Sequence, residues 1–187
     1  MQNNIWDDKN LIKILENDGV VVMPTDTIYG LVGKALQKEV VERIYEIKKR
    51  TPEKPFIILI GDLEEIKKLE IELIPEQKKN LEKFWPGSVS IILNCSSEDF
   101  SFLHRGTKVL ALRLPLESSL RDLLIKTGPL IATSANTEAL PPCKNIEEAK
   151  EYFGNSVDLY VDGGLIKEKH SKLIKLNKDG SIVVLRE

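Results

Sequence analysis

Short apolar runs recur along the chain and alternate with stretches that carry apolar residues at helical spacing. The runs at 20–23, 56–60, 89–93, 109–114, 130–133, 173–176 and 182–185 are too short for helices, so each predicts a strand. Between the first two, Val40, Val41, Ile44 and Ile47 share one face of a 3.6-residue repeat and predict a helix over 39–49. A second helix is predicted at 118–127, stopped by Gly128-Pro129. A third opens on Asn145 with Glu148 three residues later, which is capping-box spacing, and stops at Gly154. Shorter helices are predicted at 11–16, 63–69 and 76–84. The alternation predicts an α/β sandwich: a twisted, mixed β-sheet flanked by helices, formed by one domain over 1–187. Asn177-Lys178-Asp179-Gly180, set between two strand patterns, predicts a hairpin and hence some antiparallel pairing.

Composition narrows the function classes. With 42% hydrophobic and 30% charged residues in 187, the chain has the make-up of a soluble globular domain with a real core. No apolar run approaches the ~20 residues of a membrane helix, and the polar first ten residues predict no signal peptide. Cys95 and Cys143 form no CxxC pair, and His104 and His170 are the only histidines. No protein-held metal is therefore expected, and a reducing cytoplasm is the expected setting. A net charge of −2 argues against a chain-wide attraction to nucleic acid, so any polyanion site must be local.

Three segments carry more chemistry than their local structure needs. Residues 24–31, Pro-Thr-Asp-Thr-Ile-Tyr-Gly-Leu, place two hydroxyls, a carboxylate and a phenol at the end of a buried strand, where α/β sheets bind ligands. The competing reading is a strand exit whose Thr and Asp side chains cap local backbone groups. Lys48, Lys49, Arg50 and Lys54 suit a triphosphate, although cations at a helix C-terminus also favour the macrodipole, with Pro52 as the stop. Ser134 and Asn136 end another strand, and Pro141-Pro142 stiffens the loop beyond them. They suit phosphate or nucleotide contact as well as a plain turn. Arg113 lies in an otherwise apolar strand and requires a carboxylate partner, either internal or from a substrate. Trp85-Pro86-Gly87-Ser88 reads as a turn, and His170 as a surface residue.

Taken together, these segments resemble the YrdC-like family of threonylcarbamoyl-AMP synthases in its single-domain form. The likeness rests on 24–31, Lys48-x-Arg50 with Lys54-Pro55, Trp85-Pro86-Gly87, Leu112-Arg113, and Ser134-Ala135-Asn136 with Pro141-Pro142, in that order. The resemblance implies a twisted α/β fold with a concave, positively charged pocket. The implied activity is L-threonylcarbamoyladenylate synthesis from L-threonine, bicarbonate and ATP with release of pyrophosphate, an adenylyl (nucleotidyl) transfer to N-carboxy-L-threonine. The product would serve threonylcarbamoyl modification of the adenosine beside the tRNA anticodon, through downstream transfer proteins and with at most weak tRNA contact.

By the same resemblance, Thr27, Tyr29, Arg113 and Ser171 hold L-threonine, and Arg50, Lys54, Ser134, Asn136 and Arg186 hold ATP. Lys48 and Arg50 stabilise charge on the phosphates. Mg2+ arrives with ATP, and no organic cofactor or protein nucleophile is implied. Three departures stand out: Asn136-Thr137-Glu138-Ala139 where relatives carry Asn-x-Ser-Gly, His170-Ser171-Lys172 where they carry Pro-Ser-Thr, and Leu59-Ile60 where longer relatives place a histidine. They leave a specialised paralogue as one alternative. A non-catalytic RNA-binding module is another, and a hydrolase with Ser134 and His170 a third, although no GxSxG elbow surrounds Ser134.

Overall fold

The structure, a computed structural model, describes residues 4–51, 53–137, 140–167 and 169–187. Among these residues nine strands form one sheet: β1 (Val21–Pro24), β2 (Tyr29–Lys34), β3 (Ile57–Leu59), β4 (Val89–Asn94), β5 (Val109–Arg113), β6 (Leu130–Ser134), β7 (Leu159–Tyr160), β8 (Lys172–Leu176) and β9 (Ile182–Arg186). Their spatial order is β7-β1-β2-β6-β3-β5-β4-β8-β9. The sheet is mixed, as predicted: β1/β7, β3/β5 and β4/β8 run parallel, and the other neighbours are antiparallel. The 177–180 turn joins β8 to β9 as an antiparallel hairpin.

Six α-helices flank the sheet: α1 (Lys9–Glu16), α2 (Lys38–Lys48), α3 (Pro75–Leu81), α4 (Ser101–His104), α5 (Ser118–Thr127) and α6 (Ile146–Phe153). Period-two alternation over 20–23, at and just before β1, divides the core. Val21 and Met23 pack with Leu11 and Leu15 of α1 and Leu120, Leu123 and Leu124 of α5. Val20 and Val22 pack with Val40, Val41 and Ile44 of α2 and with Ile146 and Ala149 of α6. Burying both faces in this way explains why the strands read as continuous apolar runs.

Two strands escape the sequence pattern. In β2, Gly30 and Gly33 interrupt the apolar run, and glycine ordinarily argues against a strand. A Cβ on Gly33 would lie 2.5 Å from Val40 Cγ1, so its absence is what lets α2 press onto the sheet. The two-residue β7 is too short to leave a periodicity. Helix ends also move. Lys49 adopts a left-handed conformation (φ 54°) and ends α2 with its N–H on Tyr45 O and Glu46 O, before Pro52, which lies outside the described residues. α3 stops at Leu81 and not at 84, because Phe84 and Trp85 both turn back to donate to Leu81 O.

Candidate active site

The β1–β2 hairpin makes the floor. Its turn is tied by the Thr25 hydroxyl, which donates to Ile28 O at 2.8 Å and accepts from the Thr27 and Ile28 N–H groups at 3.3 Å each. The Thr25 and Thr27 hydroxyl oxygens lie 3.2 Å apart. The capping reading therefore holds for Thr25, and both Thr25 and Thr27 line the cavity. A Cβ on Gly30 would approach within 3.0 Å of Thr25 Cγ2, so glycine keeps the turn folded against the strand.

The cavity encloses about 140 Å3 and is lined by residues from five segments: the hairpin, the loop from Arg50 to Ile57, the end of β5, the end of β6, and the edge formed by β8 and β9. Thr27, Arg50, Arg113, Ser134, Ser171 and Arg186 all line it. Six predicted site residues, spread over 160 positions, are thus brought together by the topology.

Arg50 is pinned by its own loop. Nε donates to Lys54 O at 2.8 Å and Nη2 to Pro55 O at 3.3 Å, with the guanidinium 5.3 Å from the Phe56 ring centroid. On the far edge, Arg186 donates through Nε and Nη2 to Ser171 O at 3.0 and 2.8 Å. Beneath it, the buried Ser171 and Ser90 hydroxyl oxygens lie 2.9 Å apart. At the end of β5, Arg113 Nη2 sits 2.8 Å from Asp26 Oδ1, with both side chains almost fully buried. The pair is close but not well aligned. Both Asp26 oxygens and Arg113 Nε lack an aligned hydrogen-bond partner among the described residues. Burial pushes the Asp26 carboxyl up and the Arg113 guanidinium down, and their mutual attraction opposes both shifts. Since an isolated charge at that depth would be far costlier than a paired one, we take the pair as ionised.

Four predicted residues stand elsewhere. The Lys48 ammonium, expected at the phosphates, is buried behind the β6 turn. It donates to Ser134 O at 2.7 Å, Asn136 O at 3.0 Å and Asn136 Oδ1 at 2.8 Å. Asn136 is occupied with the same turn: Oδ1 accepts from Ser134 Oγ at 2.6 Å, and Nδ2 donates to Leu140 O at 2.5 Å. The Lys54 side chain is exposed and outside the lining, and its carbonyl is what anchors Arg50. Tyr29, expected as a wall of the pocket, points to the opposite face of β2, where its ring joins the core. Its hydroxyl donates to Gly164 O at 2.9 Å and accepts from Gly163 N at 2.8 Å. Alternation along the strand sends Tyr29 away from the cavity. Glu138 and Ala139 of the departing segment lie outside the described residues.

Phe56 also lines the cavity and was not singled out from the sequence. His170, read as a surface residue, is exposed but stands at the cavity edge. Partial burial and then the nearby Arg186 and Lys48 charges hold its pKa below the ordinary histidine value. Its position next to Ser171 was the available signal. Among the described residues no group of three His, Cys, Asp or Glu stands together as a metal site.

Comparison with known proteins places this architecture. Residues 13–187 match the Sua5/YciO/YrdC family model, described as "Telomere recombination". A curated relative, the threonylcarbamoyl-AMP synthase of Pyrococcus abyssi, is 32% identical over 146 residues, covering 78% of this chain and 43% of that protein. The chain spans under half the length of the first curated relatives it matches. Among solved structures, P. abyssi Sua5 complexed with L-threonine superposes with a TM-score of 0.85 at 28% identity, over 97% of this chain and 54% of that one. E. coli YciO superposes at 0.83 and 27% identity, over all of this chain and 90% of that one. The family-model match over residues 13–187 and the curated relative agree with the mixed α/β fold shared with these structures, and the chain belongs to the Sua5/YciO/YrdC family.

Proposed function

We propose that the chain is an L-threonylcarbamoyladenylate synthase, joining L-threonine, bicarbonate and ATP into threonylcarbamoyl-AMP and pyrophosphate. The observation that carries this reading is the convergence of three guanidinium groups, Arg50, Arg113 and Arg186, on a small cavity floored by the Thr27 and Ser134 hydroxyls. Such a site suits two anions that repel each other and must still be aligned. About 140 Å3 falls below the ~300–1,000 Å3 of ordinary ligand clefts, which fits an amino acid inside and a nucleotide extended across the mouth.

In this reading Arg113 takes the threonine carboxylate, and Thr27 and Ser171 meet its amine or hydroxyl. The amine adds to carbon dioxide derived from bicarbonate and loses a proton, giving a carbamate. A carbamate oxygen then attacks the α-phosphorus of ATP while the bond to the β-phosphate oxygen breaks, and pyrophosphate leaves. The substrate supplies the nucleophile, so the protein contributes position and charge. Arg50 and Arg186 face the phosphates, with Mg2+ arriving as part of the nucleotide substrate. Ser134 lies between the two substrates, and Lys48 holds the turn that presents it. Lys54 helps through the carbonyl that aims Arg50.

The product's mixed anhydride is an activated acyl donor, in keeping with use by downstream tRNA threonylcarbamoyl-transfer proteins in the cytoplasm. No helix of the described residues is long and apolar enough to cross a membrane. The test is pyrophosphate release from the purified protein with ATP, magnesium, L-threonine and bicarbonate. Release that requires both threonine and bicarbonate is the expected result, and a folded protein that releases none refutes the reading.

A further inference from the structure

The Asp26–Arg113 pair is the one buried charged group in the molecule whose hydrogen bonding is left incomplete on both partners among the described residues. A buried ion pair is costly unless good alignment and further hydrogen bonds complete it, and such defects call for an explanation. The two residues also differ in access. Arg113 lines the cavity, whereas Asp26 does not and its carboxylate oxygens are buried. Asp26 therefore stands behind the guanidinium, held there by the Thr25-tied turn.

We infer that Asp26 is a positioning residue that acts as an internal stand-in for a ligand carboxylate. It compensates Arg113 when no amino acid is bound, aims the cavity side of the guanidinium, and limits how tightly an amino-acid carboxylate is held. This rests on the synthase reading above for the identity of the amino acid. A carboxylate entering the cavity meets a guanidinium already half neutralised and feels the repulsion of Asp26. Binding is weakened and orientation is gained. That balance suits a site that must release its acylated product. It also accounts for a carboxylate kept beside an anion-binding arginine, which a site built for affinity alone would omit.

The test compares wild type, Asp26→Asn and Asp26→Glu by calorimetric titration with L-threonine, by thermal unfolding with and without L-threonine, and by turnover. Asp26→Asn leaves Arg113 uncompensated, so its free form should melt earlier. L-threonine should then bind roughly fivefold tighter or better, as repulsion between like charges in a partly desolvated site is removed, and should raise the melting temperature more than in wild type. Turnover should fall about tenfold, so that KM and kcat drop together. A merely structural role predicts the earlier melting without the tighter binding. Asp26→Glu keeps the charge and folds more safely. It should hold L-threonine within about threefold of wild type while turnover falls, because the longer side chain re-aims the guanidinium. An Asp26→Asn protein that binds L-threonine no better than wild type, or an Asp26→Glu enzyme with full turnover, overturns the inference. If wild type itself fails to bind L-threonine, the synthase reading falls with it. Wild-type binding combined with an unchanged variant removes this inference alone.

Discussion

The inner wall of the cavity hangs on β1, β2 and β6, each paired on both sides and covered on both faces, whereas its outer wall hangs on β8 and β9 at the end of the sheet. On the inner wall, hydroxyls and amides are committed to one another, with the Lys48 ammonium beneath them donating to acceptors of Ser134 and Asn136. On the outer wall, β9 is open to solvent along its length, with Val184 47% and Leu185 54% exposed, and Arg186 is the residue that reaches inward. The difference separates two jobs. The inner wall presents groups held by buried hydrogen bonds, and the outer wall presents a cation on an exposed edge strand, tied to Ser171. The His170-Ser171-Lys172 departure falls on the outer wall, where a changed neighbour disturbs little packing.

The comparison can be broken most forcefully at Lys48. Lys48→Met removes a buried cation and strands several buried acceptors, so the unfolding free energy should fall by about 3 kcal/mol in urea titrations. Turnover should fall at least 100-fold as the Ser134 turn loosens. A variant with normal stability would show that the inner wall is not organised around this ammonium. Arg50→Ala comes next, with turnover reduced at least tenfold, about 1.4 kcal/mol, and stability nearly unchanged. Arg186→Ala on the outer wall should raise KM for ATP about fivefold while stability moves by less than about 0.5 kcal/mol, as for other exposed sites. Ser90→Ala, which removes the hydroxyl under Ser171, should raise KM for L-threonine only about twofold to threefold.

The smallest effect is electrostatic. Asp158 accepts from Val20 N at 2.7 Å, at the root of β1, and from Arg43 Nη1 at 2.6 Å. The Arg43 hydrogen bond, ahead of the Val20 N–H and the Arg43 charge, holds its carboxyl below the ordinary aspartate value. A carboxyl depressed in the folded state adds stability above its unfolded pKa, near 3.9, and loses it as pH falls through the folded value. Acid should therefore loosen the inner wall. Thermal unfolding between about pH 5 and pH 2.5 should show a slightly shallower pH dependence in Arg43→Gln than in wild type.

Strands with both faces buried and helices with one apolar stripe were legible in the sequence, because each pattern reports directly on what the element buries. β2 was not, since its two glycines serve close packing by α2 and the turn, and neither use has a periodicity. The site was legible as a set of segments. Thr27, Arg50, Arg113, Ser134, Ser171 and Arg186 do meet at one cavity. What the sequence could not supply was direction. Lys48 and Asn136 carry the same chemistry whether they face a phosphate or each other, and Tyr29 takes its side from a strand that was not foreseen. The partner of Arg113 was open between an internal carboxylate and a ligand, and Asp26 supplies an internal carboxylate.

The Lys48 ammonium joins the end of α2 to a turn 86 and 88 positions further along the chain. Contacts of such sequence separation form only once the loop between them has been closed. The Ser134 turn therefore cannot acquire its final shape locally: a nascent chain must expose residue 136 before the ammonium can be satisfied. Assembly of the site becomes a report on completion of the fold, so hydrogen-exchange protection of the 134–136 amides in refolding protein should appear with the last cooperative step and not with the formation of α2.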